Sequence, residues 1–188
     1  NEASVSRGFE AVKNLLDTVT KTSPNPRINF YGIIGGVDLT LSYIAHIWTR
    51  LGRDPLPTEV IALTDINHTA LDYLAQRLDI FRRAGTIDEY FDILEKENPK
   101  SPKKLAKYAL NGIPREEWKH LWFFNKAKFN LLKRMAERGN IKAFQSNHYG
   151  DVQNVITGLN EISKPDGVVV YLSDIAGASY ERSVHTKT

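Results

Sequence analysis

The chain of 188 residues contains no cysteine, which excludes disulfides and thiolate metal sites and leaves the redox compartment undecided. No stretch approaches the roughly 20 consecutive apolar residues that a membrane helix needs, so no membrane partner is expected. No charged segment followed by a short apolar run opens the sequence, and the cytoplasm is the expected compartment. Because the first residue is Asn1 rather than Met, a removed leader or a trimmed chain stays open. Excess charge of one sign is also small: 25 basic against 22 acidic side chains gives a net charge of +3 and a pI near 9.0, too weak to indicate nucleic acid by itself. The hydrolase elbow G-x-S-x-G and the phosphate loop G-x-x-x-x-G-K-[ST] are both missing. The five histidines, His46, His68, His120, His148 and His185, are scattered without metal spacing, so no metal is expected. Internal repeats and low-complexity tracts are absent.

What is present centres on INFYGIIGGVDLTLSY, Ile28 to Tyr43. Ile28 to Ile34 is a short apolar run rich in β-branched and aromatic residues, the pattern of a buried strand. Gly35 and Gly36 break it, and Asp38 and Thr40 offer helix-capping oxygens. Leu41, Ile44, Ala45 and Trp48 then follow at helical spacing. Strand, glycine turn and helix form the unit with which a doubly wound α/β domain holds a nucleotide-like ligand: glycine lets the backbone approach, and the helix N-terminus offers unpaired N–H groups.

The rest of the chain repeats that rhythm. Val5, Phe9, Val12, Leu15, Leu16 and Val19 predict an N-terminal amphipathic helix within 1–22, ended by the prolines of TSPNPR. Gly52 closes the central helix and RDPLPT is a loop. A second strand is predicted over Glu59 to Leu63, ending in Thr64-Asp65. The helix after it carries Leu71, Leu74, Leu78 and Phe81 on one face, with Arg77, Arg82 and Arg83 off that face, and stops at Gly85. Residues 86–125 interrupt the pattern with acidic, then basic, then aromatic segments. They read as a largely helical insertion, a candidate lid, with Trp118, Trp122 and Phe123 in its core. A helix over Lys126 to Arg138 ends at Gly139. A third strand over Ile141 to Gln145, a helix marked by Val152, Val155, Ile156 and Leu159, and a fourth strand over Val168 to Leu172 complete the series. After Tyr180 the tail has no apolar pattern. The expectation is one α/β domain over 1–188, with a mainly parallel, doubly wound sheet and right-handed crossovers.

In such a sheet ligands lie beyond the carboxyl ends of the strands. The four strand ends are Gly35-Gly36-Val37-Asp38, Thr64-Asp65, Ser146-Asn147-His148 and Ser173-Asp174, all small or polar after strongly apolar strands. A carboxylate at the position of Asp65 can accept from both ribose hydroxyls of a nucleoside; its alternative is the N-cap of the next helix. Gly32, Gly35 and Gly36 do not spell G-x-G-x-x-G, which demotes NAD(P), and their alternative is a plain tight turn. Asn147 and His148 can meet a base edge or handle a proton, or be ordinary loop residues. Asp174 can meet an amine, or cap a helix. Five lysines between Lys96 and Lys107 form a basic stretch near aromatic residues, but Glu95, Glu97, Glu116 and Glu117 dilute it, so nucleic acid is not the expected partner.

Taken together, these segments resemble a class I, Rossmann-like S-adenosylmethionine-dependent methyltransferase. GIIGGVDLTLSYIA lies where that fold has its glycine-rich loop, VIALTDIN supplies the acidic end of the second strand, and VVVYLSDIA resembles the fourth strand. GGVDLTLSYIA, FNLLKRMAERGNIKAF and VVVYLSDI are also similar to an uncharacterised bacterial family of methyltransferase-like proteins. The resemblance implies a transferase-type fold that binds S-adenosylmethionine. Gly32, Gly35, Gly36 and Asp38 would lie near the methionine moiety, Asp65 at the ribose, and Asn147 and His148 beside the adenine. The chain departs from the pattern in having Phe30-Tyr31 where an acidic residue usually opens the glycine motif, and about four strands where the full fold has seven. The methyl acceptor and the catalytic residues are not implied. A non-catalytic scaffold that retains the methyltransferase fold is the alternative reading.

Overall fold

Short apolar runs bounded by glycine, proline or polar residues become strands here, and longer runs with apolar residues every three or four positions become helices. The computed structural model describes residues 2–34, 36–65, 67–99, 115–146 and 149–171. In chain order the elements are α1 (Glu2–Thr22), β1 (Ile28–Ile33), α2 (Val37–Leu51), β2 (Ile61–Asp65), α3 (His68–Arg83) and α4 (Ile87–Glu97). Two 3₁₀ turns follow, Arg115–His120 and Trp122–Phe124, then α5 (Lys126–Arg138), β3 (Ile141–Gln145), α6 (Tyr149–Ser163) and β4 (Gly167–Tyr171). Gly52 and Gly139 end α2 and α5 at φ of 68° and 64°, the left-handed conformation that L side chains rarely adopt.

All four strands are parallel, in the order β3-β2-β1-β4. The chain steps outward from β1 to β2 to β3, then returns to lay β4 on the other side of β1. With right-handed crossovers this puts α2, α3 and α5 on one face and α6 on the other. The first face carries the core. Ile28, Phe30, Ile61 and Leu63 of the strands meet Leu41, Ile44, Trp48, Leu74, Phe81, Phe129 and Leu132 of the helices, all essentially buried. α1 closes this face: Phe9 stacks on Tyr43 at 4.3 Å between centroids, and a Cβ on Gly8 would overlap the Tyr43 hydroxyl.

The second face is joined differently. Asn29 and Tyr31 turn towards α6, where Asn29 Nδ2 donates to Asn160 Oδ1 (2.8 Å) and Ser163 Oγ (2.7 Å), and the Tyr31 hydroxyl donates to Asn160 Oδ1 (2.9 Å). α6 is therefore pinned by hydrogen bonds rather than by burial of its apolar stripe, and Val155 and Ile162 stay exposed.

Several expectations need correction. The N-cap of α2 is Gly36, with no side-chain hydrogen bond; Asp38 lies inside the first turn and Thr40 Oγ1 is buried without a hydrogen-bond partner among the described residues. α3 is capped by Asn67, whose Oδ1 accepts from the Thr69 N–H at 2.9 Å, not by Asp65. α3 stops at Arg83 rather than at Gly85, because Thr86 already starts α4 by accepting from the Glu89 N–H. Trp122 is core, but Trp118 is only half-buried and stacks on the exposed Phe124 at 5.6 Å. Most of the lysine-rich segment and the tail after Tyr180 lie outside the described residues.

One titrating group is built into the first face. His46 sits edge-on to Phe9 (5.2 Å) and to His120 (5.8 Å). Burial, then the nearby charges of Lys128, His120 and Arg50, push its pKa down to about 4. Folding therefore favours the neutral ring. The associated stability is complete above the unfolded value near 6.5 and is lost as pH falls towards about 4. Urea midpoints measured between those limits are expected to fall with acidity, and a His46→Leu variant to show a flatter profile.

Candidate functional site

The strand order reverses between β1 and β4, and the carboxyl ends beside that point are where an open parallel sheet leaves room for a ligand. β1 and β2 are direct parallel neighbours there: Ile33 is in register with Thr64, and the Ile34 N–H donates to the Thr64 carbonyl at 3.0 Å. The turn at Gly36 and the carboxylate of Asp65 thus stand at adjacent strand ends, as the glycine bend and the aspartate thirty positions later require.

Asp65 is held by its own loop. Its Oδ1 accepts from the Asn67 N–H at 2.9 Å, which orients the carboxylate at the edge, half-exposed. Gly36 has extended backbone, φ −147° and ψ 95°, and a Cβ there would find nothing nearer than Leu39 at 4.0 Å. The first N–H groups of α2 therefore have no capping side chain among the described residues. Gly32 has a role in packing. A Cβ on it would press on Phe30 at 3.0 Å and Leu63 at 3.1 Å, so its lack of a side chain lets strand and core close up. Gly35, Asn147, His148 and Asp174 lie outside the described residues. Of the proposed positions, the structure brings Gly36, Asp38 and Asp65 to one edge.

Asp38 has a partner that the sequence pattern did not reveal. Arg77, from the middle of α3, reaches the first turn of α2 with its Nη2 3.7 Å from Asp38 Oδ2, and its side chain is only 5% exposed. Tyr90 of α4, fully buried, lies beside both: burial and the Asp38 charge push its hydroxyl pKa up, and Arg77 opposes them. At neutral pH it stays an O–H. The signal for Arg77 was weak in sequence, because position 77 falls beside, not on, the apolar stripe of Leu74, Leu78 and Phe81.

At the opposite edge of the sheet Glu59 gathers the N-terminal ends. Its carboxylate accepts from the Ile28 N–H (2.7 Å), Trp48 Nε1 (3.0 Å), the Leu56 N–H (2.6 Å) and both Arg53 Nη atoms (2.8 and 2.7 Å). This cluster lies at the amino-terminal ends of the strands and ties β1, α2 and the start of β2 together. Among the described residues no group of His, Asp and Glu is placed to hold a metal, and no helix is long and apolar enough to cross a membrane.

No family model matches the chain, and no curated protein or solved structure matches it either.

Proposed function

We propose that this α/β domain is an S-adenosylmethionine-binding, methyltransferase-like protein whose ligand is of the nucleoside type. The observation that carries this reading is the placement of Asp65 beside the start of α2, which has no capping side chain among the described residues, at neighbouring ends of parallel strands. There a carboxylate can accept from ribose hydroxyls while helix N–H groups meet polar ligand atoms. Methyl transfer asks little acid–base chemistry of the protein: the sulfonium is already activated, and the protein aligns donor and acceptor.

The reading is tested by calorimetry with S-adenosylhomocysteine. Wild type is expected to bind, and Asp65→Ala to bind at least about tenfold more weakly, as loss of a charged hydrogen-bond acceptor implies. Absence of binding to the wild type at millimolar ligand would reject it. A second reading, a scaffold that keeps the fold without the chemistry, draws support from Gly32 and Asp38: one is occupied with packing and the other faces Arg77. It predicts no nucleoside binding with an intact thermal transition.

A further inference from the structure

Beneath the first turn of α2, four elements close a ring of polar groups. Ser42 Oγ donates to the Asp38 carbonyl at 2.7 Å and accepts from the Trp122 N–H at 3.1 Å. The Trp122 ring meets Tyr90 at 4.8 Å, Tyr90 adjoins Arg77, and Arg77 returns to Asp38. The ring is buried, yet its hydrogen-bonding capacity is largely unused. Arg77 Nε and Nη1, Trp122 Nε1 and Asp38 Oδ1 are all buried with no hydrogen-bond partner among the described residues, and the Tyr90 hydroxyl faces Arg77. The separation of 3.7 Å between Arg77 and Asp38 is also well beyond the ~2.7–2.9 Å of a charge-assisted hydrogen bond.

The imbalance has a sign. Arg77 Nε and Nη1 and Trp122 Nε1 can only donate and the Tyr90 hydroxyl can do so, while Asp38 Oδ1 can only accept. Such a set is satisfied by a group with strong acceptors, and a carboxylate matches the planar fork of a guanidinium. Leaving several buried donors without acceptors is costly, even where the cation that carries two of them has a counter-charge. Asp38, 20% exposed and two residues from Gly36 at the strand-end edge, is more accessible than Arg77, which is 5% exposed.

We propose that Arg77 is the carboxylate-recognising group of this edge, and that Arg77 and Asp38 together take the two charges of an α-amino-acid group, carboxylate to guanidinium and ammonium to aspartate. The group is either a free amino acid or the amino-acid tail of an adenosyl ligand. Only the adenosyl version rests on the function proposed above.

Three probes separate these cases: S-adenosylhomocysteine, which has adenosine and the tail; 5′-methylthioadenosine, which lacks the tail; and L-methionine, which lacks adenosine. Wild type is expected to bind S-adenosylhomocysteine about 10 to 100 times more tightly than 5′-methylthioadenosine, the range for one charged recognition lost. Arg77→Gln should bring the first ligand down to the level of the second while leaving the second unchanged. Arg77→Lys, which keeps the charge without the fork, should fall between. Equal affinities in the wild type would overturn the proposal without touching the adenosine reading. So would an Arg77→Gln variant that binds S-adenosylhomocysteine as before, or that weakens both nucleosides alike. If neither nucleoside binds, the adenosine reading fails and thermal unfolding with L-methionine decides. Stabilisation of the wild type but not of Arg77→Gln supports the carboxylate site alone, and no stabilisation of the wild type removes it as well.

Discussion

Replacing Glu59 with alanine is expected to destabilise the fold by about 3–5 kcal/mol, the range for breaking a buried, multiply hydrogen-bonded ion pair. The Glu59 side chain has no exposure and Arg53 is 17% exposed. The substitution strands the Arg53 guanidinium, the Trp48 indole N–H and the backbone N–H groups of Ile28 and Leu56 in a dry place at once. Arg53 retains two bonds, from Nη2 to the Pro26 carbonyl at 2.6 Å and from Nη1 to the Asp54 carbonyl at 2.9 Å, so the loop keeps part of its anchor. Glu59→Gln, which still accepts but has no charge, is expected to cost less than Glu59→Ala. Urea denaturation of the two variants measures the difference; equal losses would mean that shape, not charge, holds this corner together.

The same cluster gives a pH dependence. Burial alone would raise the Glu59 carboxyl, but the hydrogen bonds from Arg53, Ile28, Trp48 and Leu56 outweigh it and hold the group below its ordinary value. A carboxyl depressed in the folded state contributes stability that is fully present above its unfolded value near 4.5 and is lost as pH falls through the folded value. His46 acts at milder acidity, between about 6.5 and 4, so the two groups produce successive stages of acid destabilisation. In the Glu59→Gln variant only the more acidic stage should disappear.

Much of the fold could be read from local pattern because local physics decides it. Gly52 and Gly139 end helices for a reason internal to one residue, and the apolar runs at Ile28 and Ile61 became adjacent parallel strands as the strand–helix alternation implies. The charged interior was not readable in this way. Glu59 looked like the polar first residue of a strand and Arg77 like a residue beside an apolar stripe. Lys128, near the start of a helix, gave no hint that it would be buried and donate to the His120 carbonyl at 2.6 Å. Each of these charges is tolerated because of partners that the strand or helix pattern does not point to: Arg53 and the more distant Ile28 for Glu59, the His120 carbonyl for Lys128, and Asp38 for Arg77. Asp38 shows the same limit from the other side: as a capping candidate it was judged by its neighbours in sequence, whereas its position is set by Arg77, thirty-nine residues away.

The two charged clusters divide the work of the sheet. Glu59 ties β1, α2 and β2 at their amino-terminal side, where no ligand is expected, and its hydrogen bonds are nearly complete. The ring around Arg77 lies beneath the first turn of α2 and has donors without acceptors among the described residues. A protein that folds without a ligand needs the first kind of arrangement, and one that binds at the second edge has a use for the other.

Trp122→Ala is the other substitution expected to have a large effect, about 3–5 kcal/mol for truncating a fully buried large aromatic residue. The indole is entirely buried and is central to a ring cluster with Phe81 and Tyr90 at 4.8 Å, Phe123 at 5.3 Å, Phe91 at 6.0 Å and Phe129 at 6.2 Å. It thereby joins α3, α4 and α5, while its backbone N–H joins the 3₁₀ turn to Ser42 of α2. Because Tyr90 packs on the indole, truncation also loosens one wall of the Arg77 ring. The energetic consequences of Trp122→Ala and Tyr90→Phe should therefore not be additive in a double-mutant cycle. Trp122→Phe separates packing from polarity: it keeps most of the ring contacts and removes an indole N–H that has no acceptor among the described residues. It is accordingly expected to cost much less than Trp122→Ala, as read from thermal or urea unfolding. A loss from Trp122→Phe as large as that from Trp122→Ala would show that the indole N–H has an essential partner and that the donor surplus beneath α2 is smaller than inferred.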